Sequence, residues 1–362
     1  MTAQTSARTA TGSLRRSEWL SIGGMTTVVL ALNVVGWATL LALVVPHHYV
    51  VGGGQVVGVG IGLTAWTLGM RHAFDADHIA AIDGTTRSLM AAGRRPVSVG
   101  FWFSLGHSSV VFGLCVLLSM GVRALAGPVR DGSSSLHHYT GLVGLAVSGT
   151  FLVALGVVNL VVLLGIVGML RGMRASGLDQ VELERRLASR GLLNRVLAPA
   201  TRAVRKPWHM YPVGLLFGLG FDTATEVSLL VIAGGAAVFS LPWYAILTLP
   251  VLFAAGMSLF DSIDGCFMNF AYGWAFAQPV RKVFYNLTVT ALSVVVALAI
   301  GTVELVSLAV QQLGVVSGPL AAVGGLDLNH VGFVVVGLFV LTWAVAATVW
   351  KVARVEERWR TR

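Results

Sequence analysis

The stretch Trp19–Met70, WLSIGGMTTVVLALNVVGWATLLALVVPHHYVVGGGQVVGVGIGLTAWTLGM, contains no Lys, Arg, Asp or Glu. One bilayer crossing needs roughly 20 apolar residues, so this run is long enough for two, and VVPHHYVVGGG (Val44–Gly54) divides it. The rest of the chain has the same character: of 362 residues 56% are hydrophobic and 11% charged, and the mean hydropathy is +0.79. The same criterion places further helices along the chain, giving eight at about 19–45, 53–82, 97–122, 139–170, 211–238, 242–270, 284–309 and 330–350. The expected fold is an all-α membrane protein.

Charge gives an independent reading, because cytoplasmic loops of membrane proteins are enriched in Lys and Arg. With both termini cytoplasmic, only Arg123 and Arg130 of the 25 basic residues fall in outward loops, and only Arg71 falls within a span. The chain then divides into a tail (1–18), four helices (19–170), a basic cytoplasmic loop (171–210), four more helices (211–350) and a tail (351–362). The net charge of +9 is an orientation signal facing anionic lipid, and no nucleic-acid partner is expected. The first apolar run, about 27 residues, exceeds a signal-peptide core and is expected as a retained helix. Cys115 and Cys266 stand singly, with no C-x-x-C spacing, and are expected as two buried thiols. The loop's Leu178, Val181 and Leu187 among charges suggest a short amphipathic helix at the cytoplasmic surface. The Gly-rich segment 311–329 is expected as a loop or re-entrant turn.

Two stretches echo each other. RHAFDADHI matches GLGFDTATEV through Phe74-Asp75 and Phe221-Asp222, and FSLGHSSVV matches FAAGMSLFD through Phe103-x-x-Gly106-His107-Ser108 and Phe253-x-x-Gly256-Met257-Ser258. In the eight-span topology spans 2–3 run opposite to spans 5–6, the arrangement of an inverted repeat, which transporters use to build a site near the midplane.

The spans hold costly groups. Ionisable side chains at membrane depth cost about 2.5–3.5 kcal/mol each on insertion scales, yet the second span carries Arg71, His72, Asp75, Asp77, His78 and, near the inner interface, Asp83. The third carries His107, the fifth Asp222 and Glu226, and the sixth Asp261 and Asp264. Carboxylates buried with so few cations are either protonated or bind something positive. On a regular helix His72, Asp75 and His78 share a face spread over roughly 120°, whereas Asp77 points about 140° from His72. Either the helix is broken there or Asp77 orients a histidine from behind. Asp222 and Glu226, and Asp261 and Asp264, pair at helical spacing, and Arg71 can balance Asp75 at i+4. Imidazole nitrogen with carboxylate oxygen suits Ni(II), Co(II) or Zn(II) better than Mg(II) or Ca(II). Met257, opposite His107 in the repeat, reads first as packing. His47, His48, His137, His138, His209 and His330 sit in loops or at helix ends and read as interfacial.

RHAFDADHI, with His72-x4-Asp77-His78, together with FSLGHSSVV, LGFDTATE and GMSLFDSIDG, resembles the signatures of the nickel/cobalt transporter (NiCoT) permease family. The likeness runs from about Leu68 to Gly273, four motifs in order. It implies secondary import of Ni(II) and/or Co(II) across the bacterial cytoplasmic membrane, with His72, Asp77 and His78 essential for metal recognition. The other motifs carry over to His107, Asp222, Glu226, Asp261 and Asp264. A related exporter group often carries a His-rich cytoplasmic loop, which this chain lacks. No G-x-x-x-x-G-K-[ST] motif is present, so the metal is cargo and no prosthetic group is expected. An intramembrane metalloenzyme is the alternative from another class, but its H-E-x-x-H type spacing is absent. The sequence leaves the oligomeric state open.

Overall fold

A broken helix organises the molecule. In this computed structural model, which describes residues 15–51, 55–91, 93–119, 135–176, 204–219, 241–276, 279–326, 328 and 331–352, the second apolar run is not the single helix expected at 53–82. It begins with a hairpin of two-residue strands, β1 (Val50–Val51) and β2 (Gln55–Val56), rises as α2 (Val59–Ala73), stops, and resumes as α3 (Ala76–Ala91). The other helices are α1 (Arg16–Thr39), α4 (Val99–Ser119), α5 (Ser135–Ser176), α6 (Met210–Phe217), α7 (Trp243–Phe276), α8 (Pro279–Leu313), α9 (Pro319–Gly324) and α10 (Val331–Val352). The chain is thus essentially all-helical among the described residues.

Among the described residues, five helices are long and apolar enough to cross a membrane: Arg16–His47, Val99–Leu117, Gly141–Gly165, Trp243–Gly273 and Leu287–Leu313. The interrupted pair α2 and α3, 15 and 16 residues, falls short of that length because of the break. Burial sorts the five: 61% of the apolar window of α7 is buried against 22% in α1. The first helix therefore lies at the periphery, presenting Trp19, Leu20, Leu30, Val34 and Val35 outward, a surface suited to hydrocarbon rather than water. Its start is fixed by Glu18, whose carboxylate accepts the Arg15 backbone N–H at 2.9 Å.

With no hydrophobic force between helices in lipid, close packing depends on small residues at the crossings. Two crossings share one design. Where α2 meets α7, a Cβ at Gly69 would collide with the Phe253 carbonyl, and one at Gly256 with the Trp66 carbonyl. Where α6 meets α4, a Cβ at Gly214 would collide with the Phe103 carbonyl, and one at Gly106 with the Tyr211 carbonyl. In both, a ring three residues beyond the first glycine meets the ring of the opposed Phe: His72 on Phe253 at 5.8 Å and Phe217 on Phe103 at 5.2 Å.

Segment 311–329, expected as a loop or re-entrant turn, includes a short helix among its described residues. α8 continues to Leu313, and the chain turns through Gly314 (φ 63°) and Gly318 (φ 96°), values that only glycine adopts freely. It then forms α9, whose Gly324 lies against Ser307 and Val310 of α8. Cys115 and Cys266 are free thiols, the first buried and the second half-buried. The expected amphipathic helix of the basic loop (177–203), the greater part of the fifth span (from 220 on) and the outermost tails lie outside the described residues.

Candidate metal centre

The break is written in local chemistry. Phe74 and Asp75 donate their N–H groups to the carbonyls of Arg71 and His72, tightening the last turn of α2. The Asp75 carbonyl then accepts the first helical bond of α3, from Ile79. Asp75 Oδ1 accepts the Ala76 N–H at 2.7 Å and Asp77 Oδ1 the His78 N–H at 2.8 Å, so two acids neutralise the positive end of the α3 dipole. Irregular backbone at membrane depth survives only where protein covers it. α10 supplies the cover: a Cβ at Gly332 would collide with the Phe74 carbonyl, and Phe333 stacks on Phe74 at 5.1 Å.

The break brings three imidazoles together from three helical segments. His72 ends α2, His78 lies in the first turn of α3 and His107 faces them from α4. Their rings form a near-equilateral triangle, each pair of centroids 4.7 Å apart. Ligating nitrogens of the three all lie within 4.8 Å of one another, and exposure is only 5%, 1% and 2%. His72 Nε2 and His107 Nε2 are 2.9 Å apart. Two nitrogens each about 2.1 Å from one ion and at right angles about it are separated by about 3.0 Å, so this pair already has the spacing of adjacent ligands. The negative end of the α2 dipole is directed at the same place, which favours a cation.

Behind the triangle, Asp261 Oδ2 of α7 lies 3.4 Å from His78 Nδ1, with both groups fully buried. A carboxylate on the far nitrogen of an imidazole fixes its ring and raises its basicity. Phe103 packs edge-on to His78 at 4.7 Å, and Met257 is wholly buried beside Phe253. These apolar walls keep water from competing at the ring nitrogens.

The remaining expected site residues are placed as follows. Asp75 and Asp77 cap α3, and the second oxygen of Asp77 is turned toward Ser148 of α5 at 3.4 Å; neither carboxylate belongs to the converging set. Asp264 lies one turn beyond Asp261, with Oδ2 buried. Asp222 and Glu226 lie outside the described residues. Arg71 is exposed. The longer reach of α3 instead buries Arg87, expected in a loop, one turn from Asp83. Asp83 accepts from the Tyr272 hydroxyl and, at 2.5 Å, from the Ser293 hydroxyl. Sequence reasoning passed over Glu304, a buried acid in α8 that accepts from Ser148 at 2.7 Å. It lies within the expected seventh span, where the cost of an intramembrane acid was the available signal, but it belongs to no motif or repeat.

Comparison with known proteins bears on this histidine triangle. Residues 58–349 match the NicO family, described as high-affinity nickel-transport protein. The chain belongs to that family. It is 60% identical over 348 residues to the nickel transporter NicT of Mycobacterium tuberculosis, covering 96% of this chain and 93% of the relative. It is 40% identical to the nickel transporter NixA of Staphylococcus aureus, covering 95% and 98%. It is also 40% identical to the cobalt transport protein NhlF of Rhodococcus rhodochrous, covering 92% and 94%. No solved structure matches the chain. The family match spans the broken helix, both glycine crossings and the helix that covers the break.

Proposed function

We propose that this chain is a secondary permease that imports Ni(II) and/or Co(II) through the bacterial cytoplasmic membrane, with His72, His78 and His107 as the metal-holding groups. The observation that carries the reading is the dry triangle of imidazoles at a helix break, within a chain of the nickel-transport family. Imidazole selects borderline transition ions over Mg(II) and Ca(II). Relatives named for nickel and for cobalt fit a site whose donors accept both ions.

Eight spans with both termini cytoplasmic, as two sets of four helices joined by the basic loop, fit the charge asymmetry of the sequence. The matched crossings of α2 with α7 and of α6 with α4 support an inverted repeat whose register follows the glycines. In this register Gly69 corresponds to Gly214, and Phe103 to Phe253. The ion enters from outside, exchanges water for imidazole, and leaves inward as the two halves rock about the crossings. Asp261 and Asp264, one turn further along α7, continue the path with oxygen donors. The membrane potential, negative inside, favours entry of a divalent ion by about 4.6 kcal/mol per 100 mV.

Uptake of radiolabelled nickel into cells producing the protein, with cobalt, zinc and manganese as competitors, tests this reading. Accumulation suppressed by cobalt and lost in His72→Ala, with the protein still in the membrane, is expected. Net loss of nickel from the cells, or uptake indifferent to His72, would overturn it.

A further inference from the structure

Asp83 and Arg87 stand in α3, past the histidine triangle, at 1% and 3% exposure, and the metal site uses neither. Both oxygens of Asp83 are engaged across helix interfaces. Oδ1 accepts from the Tyr272 hydroxyl of α7 and Oδ2 from the Ser293 hydroxyl of α8, the latter at 2.5 Å, and both donors are themselves buried. Arg87 is placed differently. It follows Asp83 by four residues, the spacing at which an acid and a base on one helix are neighbours, yet its Nε and Nη2 are buried with no acceptor among the described residues.

A guanidinium buried with open N–H groups is costly, and so is a carboxylate stripped of its donors. The two costs fall in different arrangements of the same four side chains. In the present one the hydroxyls hold Asp83 and the guanidinium lacks acceptors. If α7 and α8 draw away from α3, Asp83 loses both hydroxyls, while Arg87, carried on the same helix, stays one turn away and can take the carboxylate in a fork of two bonds. Asp83 and Arg87 belong to the first set of four helices and Tyr272 and Ser293 to the second, so the hydroxyl bonds join the two halves and the ion pair lies within one of them. Tyr272 lies two turns beyond Asp264 along α7, at the end of the path from the triangle, and α3 runs on past Arg87 toward Arg94 and Arg95 of the inner loop.

We propose that Asp83, Tyr272 and Ser293 close the inner end of the ion path, and that Arg87 takes over the Asp83 carboxylate when this gate opens. The inference rests on the nickel and cobalt permease reading with its two rocking halves, and it names the contact that breaks at each turnover. Exchange of hydroxyl for guanidinium keeps the buried carboxylate partnered in both states, so the motion passes between two defined arrangements. Only hydrogen bonds are exchanged, and no proton leaves its atom.

With Cys115→Ala and Cys266→Ala removing the native thiols, Thr86→Cys places one thiol beside Arg87 at a position that is wholly buried. Labelling of this purified parent by a small water-soluble maleimide should be slow, and about ten-fold faster once Tyr272→Phe and Ser293→Ala are added. Adding Arg87→Met to that variant should slow labelling again by at least three-fold, because the open state loses its partner. A generally loosened core would instead label as fast or faster after a further substitution, and that result would overturn the proposal, as would no acceleration at the first step. In transport, Arg87→Met should lower the maximal rate of nickel uptake, normalised to protein in the membrane, by about ten-fold with equilibrium nickel binding within about two-fold, and Arg87→Lys should stay within about three-fold of the wild type. An unchanged rate in Arg87→Met, or binding lost together with the rate, contradicts the assigned role. If a variant fails to reach the membrane, Ser293→Ala alone and Arg87→Gln take its place, with three-fold changes in the same directions expected and no change overturning. Absence of uptake by the wild type would instead count against the permease reading, on which the labelling measurement does not depend.

Discussion

The crossings of α2 with α7 and of α6 with α4 are built from the same parts and do different work. Each sets glycine against carbonyl twice, and each places a ring against the opposed phenylalanine. In one the ring is His72; in the other it is Phe217. Likewise the residue after the paired glycine is His107 on α4 and Met257 on α7. The backbone contacts recur while the donors do not: α2 and α4 supply His72 and His107, and the helices facing them, α7 and α6, supply Met257 and Phe217. In the permease proposed above, an ion held between such unlike halves has one set of strong ligands, and motion of one half against the other exposes it to either side without a second trap.

This asymmetry can be tested by altering each side in turn. The largest effect is expected from the imidazole side: His107→Ala or His78→Ala should reduce nickel uptake at low concentration by more than 100-fold in a transport assay. A smaller effect should follow from Asp261→Asn, which leaves the ligands in place and removes the carboxylate behind His78; a 10–100-fold loss of affinity is typical of such partners and would appear in equilibrium nickel binding to the purified protein.

The shared scaffold should respond equally in its two copies. Gly69→Ala and Gly214→Ala each force a Cβ onto a carbonyl, and overpacking of this kind costs about 1–3 kcal/mol. Thermal unfolding in detergent should therefore show similar drops for both, and a large drop for only one would break the correspondence. The smallest effect belongs to the apolar wall: Met257→Leu conserves volume and should leave uptake within about two-fold. A loss comparable to His107→Ala would make the thioether a ligand.

Much of this was legible in the residues. Charge-free runs and the placement of arginines gave helices and their expected direction, and the mismatch between Asp77 and the His72 face raised a broken second helix as one of two readings. The break itself required knowing that Asp75 and Asp77 both serve as caps, which periodicity does not register. A repeat was expected through Phe-Asp pairs, and the matched crossings align Gly69 with Gly214, two residues away from the register those pairs suggest, because packing is set by glycines and not by motif letters. Glu304 and Ser148 were hidden by distance along the chain: Ser148 of α5 lies between Glu304 of α8 and Asp77 of α3.

The proposed permease requires His72, His78 and His107 to bind the same ion. X-ray absorption of the nickel-loaded purified protein counts imidazole ligands directly. Three are expected in the wild type and two in His107→Ala, whereas an all-oxygen shell, or a spectrum unchanged by that substitution, would contradict it.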